Sequence, residues 1–216
     1  MTRAPRVALI HALSASVAPV NDEMARVWPA CERMNLLDDS LSSELARSAT
    51  GLDAAMTERF VALADYALRA GAQGILFTCS AFGPCIDAVA RRYPGVPVLK
   101  PNEPMIVEAT ELGGRIGLVA SFAPTLESMP SEFPPHLDLR LTLAEGALEA
   151  LRAGDAALHD AVVLSAAERL AAQGCSAIAL AQFSMARAAP LVRTRLGLPV
   201  LSTVGSAVRA MQARFG

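Results

Sequence analysis

The stretch GILFTCSAFGPCIDAVARRYPGVPVL, Gly74–Leu99, decides the fold that we predict for this chain. It starts with the apolar run of a buried strand, continues with a segment of helical character, and ends in a short strand at Val98–Leu99. A similar stretch, AIALAQFSMARAAPLVRTRLGLPVL, occupies Ala177–Leu201 with a one-residue gap. Strands that alternate with helices predict parallel sheets.

A second pair of similar blocks precedes these two. RVALIHALSA starts at Arg6 and RIGLVASFAP at Arg115, so two blocks recur in the same order. This internal repeat predicts an α/β fold of two pseudo-symmetric three-layer α/β/α halves, with Cys79 of one half aligned to Gln182 of the other. The predicted halves are 1–100 together with a C-terminal helix at about 205–216, and 101–204.

Hydrophobic patterning gives the individual elements. The predicted strands are Val7–Leu13, Gly74–Thr78, Val98–Leu99, Ile116–Ala120, Ala177–Ala181 and Val200–Leu201, with weaker candidates at Met34–Leu37 and Leu137–Leu143. The predicted helices are Asp53–Ala70, Ile86–Arg92, Pro104–Leu112, Ala156–Gln173, Ala188–Arg195 and Gly205–Phe215.

Composition narrows the function classes. The chain has 216 residues, 53% of them hydrophobic, and 19 basic against 21 acidic residues with no run of either sign. Such a sequence lacks the cluster of basic residues that binds a phosphate backbone or an anionic membrane. With 5% aromatic residues, it also offers no surface on which bases stack. His11 interrupts the apolar N-terminal segment, so we do not interpret it as a signal peptide. We expect a cytoplasmic protein that binds neither nucleic acid nor membrane.

The cysteines do not form a disulfide scaffold or a zinc site. Cys31, Cys79, Cys85 and Cys175 are few and scattered, and the three histidines lie far from them in sequence. We therefore predict reduced thiols and no metal. Three of these thiols are interpreted as structural, but Cys79 follows a predicted strand, at the sheet edge where open α/β sheets bind ligands.

The motifs after the two central strands resemble those of the aspartate/glutamate racemase superfamily, which includes hydantoin racemases, maleate isomerases and arylmalonate decarboxylases. FTCSAF, Phe77–Phe82, matches the first family motif, whose cysteine corresponds to Cys79. LAQFSM, Leu180–Met185, resembles the second, but Gln182 stands where the family has its other catalytic cysteine. The resemblance spans the whole chain and implies an active site in a cleft between the halves.

The resemblance implies chemistry that needs no cofactor. In the family, thiols remove and return a proton next to a carboxylate, and hydrogen-bond donors hold the enediolate that develops. We expect backbone N–H groups at the helix starts after Cys79 and Gln182 to supply those donors. The same helix start is expected to lower the pKa of Cys79.

Further candidates for substrate binding follow from position and from the family loops, and SFAPT, Ser121–Thr125, resembles a loop that gives a hydroxyl to substrate. His11 ends the first strand, where it either contacts substrate or is a satisfied core histidine, and the hydroxyls of the SFAPT loop are either ligands or ordinary caps. The candidates are His11, Thr78, Ser80, Ala81, Ser121, Thr125, Gln182, Phe183 and Ser184.

Gln182 leaves the function open, because an amide does not ionise near neutral pH. The first hypothesis is a racemase or isomerase that acts on a small carboxylate or amino-acid derivative through an enediolate-like intermediate, with Cys79 as acid and base or as nucleophile. One alternative is a single-cysteine decarboxylase of malonate-type acids, and another is a diverged protein that binds a carboxylate without turnover. The family resemblance also implies a possible homodimer.

Overall fold

The computed structural model describes residues 4–49 and 51–216. The chain divides into two compact units. The first unit comprises the residues up to Pro101 together with Ala207–Gly216, and the second unit comprises Asn102–Ser206.

The described part of the first unit contains a parallel four-stranded sheet in the order β2-β1-β3-β4. Its strands are β1 Arg6–His11, β2 Glu32–Leu37, β3 Gly74–Phe77 and β4 Val98–Leu99. Its helices are α1 Val17–Val27, α2 Ser40–Arg47, α3 Ala54–Arg69 and α4 Gly83–Arg92. Short 3-10 helices follow β1 at Ser14–Ser16 and β3 at Ser80–Phe82.

The second unit has a parallel four-stranded sheet of the same topology, in the order β6-β5-β7-β8. Its strands are β5 Arg115–Ala120, β6 Asp138–Leu143, β7 Ala177–Leu180 and β8 Val200–Ser202. Its helices are α5 Glu103–Leu112, α6 Ala123–Ser128, α7 Ala147–Arg152, α8 Ala156–Ala172 and α9 Ala189–Leu196, with 3-10 helices at Met129–Glu132 and Phe183–Ala188. Helix α10, Thr203–Gln212, begins in the second unit, and its residues from Ala207 onward belong to the first. The predicted α/β class with parallel sheets is confirmed.

Apolar side chains from alternate strand positions build the cores. In the first unit, Ile10 and Phe77 face α3, where Phe60 stacks on Phe77 with ring centroids 5.3 Å apart. In the second unit, one sheet face packs Val119 among the residues of α8, and the other packs Leu118 against α5. The central strands of both sheets are almost entirely apolar, as expected for parallel strands that helices cover on both faces.

The sequence predictions and the observed elements differ mainly at boundaries. The first strand ends at His11 and not at Leu13, and the two weaker strand candidates are edge strands. Two long helices begin at capping aspartates, Asp53 and Asp155, whose carboxylates accept backbone N–H bonds. The helices α1, α2, α6 and α7 were not predicted from the sequence.

Candidate active site at the carboxyl ends of the central strands

Cys79 lies two residues beyond the end of β3, in extended backbone with φ −127° and ψ 119°. The 3-10 helix Ser80–Phe82 follows at once and leads into α4. Of the four cysteines, Cys79 is half-buried, whereas the other three are buried. Cys79 is therefore the one thiol of the four that is not buried.

The Cys79 side chain packs on the α3 face of the sheet. It borders a small pocket whose walls include Ala12, Leu41 and Phe60. Burial raises the pKa of the Cys79 thiol, and the backbone N–H of Ala81 offsets only part of this effect by favouring the thiolate. The expectation of a lowered pKa is wrong, because an apolar surrounding outweighs the donor of a short 3-10 turn. Cys79 is protonated at neutral pH.

His11 also borders this pocket, but its side chain makes its hydrogen bonds on the opposite face of the sheet. The ring is 0% exposed. Its Nδ1 lies 3.0 Å from Thr78 Oγ1 and 3.1 Å from Ser16 Oγ, while Nε2 lies 3.0 Å from Asn35 Oδ1. Asn35 and Asn21 in turn exchange two amide hydrogen bonds.

The partners of His11 define its protonation. Asn35 Oδ1 accepts a hydrogen bond from Asn21 Nδ2 at 2.8 Å, so it is an acceptor for His11 and Nε2 carries the proton. Nδ1 then accepts a hydroxyl proton from Thr78 or Ser16, whose oxygens lie 2.8 Å apart. Burial lowers the pKa of His11, although its hydrogen bond to Asn35 opposes this effect. The ring is neutral and has no free nitrogen for substrate.

Gln182 occupies the corresponding position in the second unit, two residues beyond the end of β7. Its Oε1 accepts a hydrogen bond from the Ser121 backbone N–H at 2.9 Å and lies 3.4 Å from the Ser121 hydroxyl. Its Nε2 donates to Thr125 Oγ1 at 2.9 Å. The structure thus brings together three predicted residues, but as partners of one another.

The remaining candidates lie in the 3-10 helices that follow the two strands. Ser80 and Ala81 are exposed beside Cys79, and the Ala81 backbone N–H acts to lower the pKa of the thiol. After Gln182, the side chain of Phe183 is buried and Ser184 is half-buried. These residues therefore lie at the carboxyl edge of their own sheets.

Sequence reasoning missed Ser16, Asn35 and Asn21. The available signal was Asn35, a polar residue within an otherwise apolar part of the weak strand Met34–Leu37. The parallel pairing of β1 with β2 sets Leu9 opposite Asn35, which places the amide on the same face as His11. Without that register, nothing in the sequence connected the two side chains.

Within 4–49 and 51–216, no group of three or more His, Cys, Asp and Glu side chains is arranged to hold a metal ion. None of the helices in this described part combines the length and the apolar character needed to cross a bilayer.

Solved structures share the fold at low sequence identity. Allantoin racemase from Klebsiella pneumoniae superposes with a TM-score of 0.75 at 18% identity, covering 98% of this chain and 87% of that chain. Picrophilus torridus aspartate racemase gives a TM-score of 0.69 at 10% identity, covering 97% and 94%. Unliganded arylmalonate decarboxylase gives 0.66 at 20% identity, covering 98% and 93%.

The family comparison is more specific than these fold similarities. None of the curated protein sequences compared with the chain matches it. The family model described as Asp/Glu/Hydantoin racemase matches residues 14–211, which include Cys79, Gln182 and the SFAPT loop. The chain therefore belongs to the Asp/Glu/Hydantoin racemase family.

Proposed function

We propose that this protein is a cofactor-independent enzyme of the racemase and isomerase type, acting on a small carboxylate or amino-acid derivative. Cys79 serves as the acid and base that exchanges the proton next to the carboxylate. The observation that carries the proposal is the position of Cys79, a half-buried thiol just beyond β3 at the carboxyl edge of a parallel sheet, in a chain of this family.

The environment of the thiol favours proton donation. Because burial raises its pKa, Cys79 carries its proton at neutral pH and can deliver it to an enediolate carbon. The Ala81 N–H then stabilises the thiolate that remains. Backbone donors that hold the enediolate oxygens contribute about 2.7–4 kcal/mol each to transition-state stabilisation.

We propose that proton transfer uses Cys79 alone. Gln182 stands at the corresponding strand end of the second unit, and its amide does not ionise near neutral pH. Its two polar atoms are also engaged, by Ser121 and Thr125. The reaction is accordingly expected to exchange a proton on one face of the substrate.

Decarboxylation of a malonate-type acid is the second candidate, and the protonated state of Cys79 favours it. The bond between the α-carbon and one carboxylate breaks, CO₂ leaves, and the electron pair remains as the enediolate of the other carboxylate. Cys79 S–H donates its proton to the α-carbon, and water reprotonates the thiolate. This sequence needs a single acid and no second base.

A substrate panel tests the proposal. Chiral amino acids, hydantoins, maleate and substituted malonates are incubated with wild type, Cys79→Ala and Cys85→Ala, and the products are resolved by chiral chromatography. Cys85 is a buried thiol in α4 and serves as the matched control. We expect turnover in wild type and Cys85→Ala and its loss in Cys79→Ala. A folded wild type that turns over no compound, although a carboxylate protects Cys79 from alkylation, would support the diverged binding protein.

A further inference from the structure

The strand end that carries Cys79 is held from the face opposite the thiol. In extended backbone, successive side chains point to opposite faces, so Thr78 faces His11 while Cys79 faces α3. The Thr78 backbone N–H also donates to Ile10 O at 3.1 Å, which continues the pairing of β1 with β3 beyond the strand. Thr78 is thereby fixed at both its backbone and its hydroxyl.

The hydrogen bonds of His11 extend to two further elements, β2 and α1. His11 Nε2 is tied to Asn35 in β2, and Asn35 is tied to Asn21 in α1, whose Nδ2 also lies 2.7 Å from Val17 O. Because the ring is neutral and its nitrogens are paired, the network holds without a buried charge. A hydrogen-bonded chain of this kind orders a protein interior when each member has a partner.

The second unit lacks this arrangement at the equivalent strand positions. Ala120 ends β5 where His11 ends β1, and Ala181 follows β7 where Thr78 follows β3. Both alanines are buried and have no side-chain polar atom. In the second unit, hydrogen bonds fix the side chain of Gln182 itself. In the first unit they fix Thr78, the residue before Cys79, and not the thiol.

We infer that His11 is a positioning residue, which fixes Thr78 and through it directs the Cys79 sulfur toward the Ala81 N–H. The inference rests on the proposed function of Cys79 but concerns a contact that can be measured without turnover. His11 then acts through Thr78 and does not contact substrate. The alternative is a buried histidine that only fills the core.

The test is the pH profile of Cys79 alkylation by iodoacetamide. Rates are followed by mass spectrometry, and fragment spectra separate Cys79 from Cys85, which lies on the same tryptic peptide. The variants are Thr78→Val, Thr78→Ser, His11→Phe and the double variant His11→Phe/Thr78→Val. Thr78 Oγ1 lies within hydrogen-bond reach of a backbone carbonyl as well, Ile10 O at 3.3 Å. Thr110→Val is the matched control, because Thr110 Oγ1 likewise donates to a backbone carbonyl, Ile106 O at 2.7 Å, but in the second unit.

Loss of the contact between Thr78 and His11 is expected to slow the alkylation of Cys79. A misaligned Ala81 N–H no longer stabilises the thiolate, so the alkylation rate at pH 8 is expected to fall by about tenfold or more and the pH profile to move to higher pH. Thr78→Ser should restore the rate, and the double variant should be no slower than either single variant, because both act through one contact.

Other profiles would overturn the inference. Local unfolding exposes the thiol, so faster alkylation with an ordinary thiol profile would show that His11 and Thr78 only stabilise the core. A Thr78→Val profile equal to that of Thr110→Val would also contradict it. These outcomes are distinct from failure of the proposed function, in which wild type turns over no substrate whatever the alkylation profile.

Discussion

The side-chain oxygen of Gln182 accepts a hydrogen bond from the backbone N–H of Ser121 at 2.9 Å. That N–H and the hydroxyl of the same residue are donors that could receive an oxyanion, and the protein's own amide occupies them. Gln182 is thus a fixed internal partner of the SFAPT loop, and this arrangement leads to two predictions about it.

The first prediction concerns stability. Gln182→Ala removes the hydrogen bonds of the side chain to Ser121 and Thr125. The Ser121 N–H is left without its acceptor, so we expect the free energy of unfolding to fall by about 1–3 kcal/mol. Urea unfolding measures it. Gln173→Ala is the control, because that glutamine lies at the exposed end of α8. Equal stability of the two variants would mean that the hydrogen bonds of Gln182 contribute nothing to the free energy of unfolding.

The second prediction concerns gain of function. Gln182→Cys introduces an ionisable group at the strand end and frees Ser121 and Thr125 to bind other ligands. We expect this variant to racemise a substrate that wild type exchanges on one face only, as measured by chiral chromatography. Gln182→Ser is the control, since it frees the same loop without a thiol. Racemisation by the serine variant would assign the effect to the loop.

The third prediction follows from the raised pKa of Cys79. The thiolate is the reacting species, so the alkylation rate should rise with pH and reach its plateau above the ordinary thiol range. A carboxylate ligand that approaches the sulfur should move the plateau further upward, because a second negative charge disfavours the thiolate. A plateau reached below pH 8 would contradict the burial of the thiol seen here.

The fourth prediction concerns the buried Cys31, whose pKa is raised to about 11 by burial. The folded state holds this proton at pH values where the unfolded chain has released it. Stability from this group is therefore present below the unfolded pKa of about 8.5 and lost as pH rises toward the folded value. Urea unfolding at pH 8 and 10.5 should show a larger loss for wild type than for Cys31→Ala. An equal loss in both proteins would refute the assignment.

The fold was predictable from the sequence because its signals are local. The apolar runs at Gly74–Thr78 and Ala177–Ala181 and their repeated surroundings indicate parallel strands, and Asp53 is a local helix-capping signal. Helices such as α1 and α2 escaped prediction because they are short or follow irregular turns. Their stability comes from packing more than from propensity.

The site was predictable only in part. The position of Cys79 follows from the end of one strand, but its pKa is raised by burial, and the pocket beside it is lined by residues far away in sequence, such as Leu41 and Phe60. The roles of His11 and Gln182 depend on partners that strand register brings together. Sequence placed His11 at the correct sheet edge without revealing that its ring is buried and fully bonded.

The central claim is that Cys79 alone exchanges the proton next to the carboxylate. The most direct measurement is the incorporation of deuterium from deuterated water into each enantiomer of the substrate identified by the panel. We predict that wild type labels one face stereospecifically and racemises poorly, and that Cys79→Ser loses nearly all incorporation. Equal labelling of both enantiomers by wild type, or labelling that persists in Cys79→Ser, would contradict the single-cysteine mechanism.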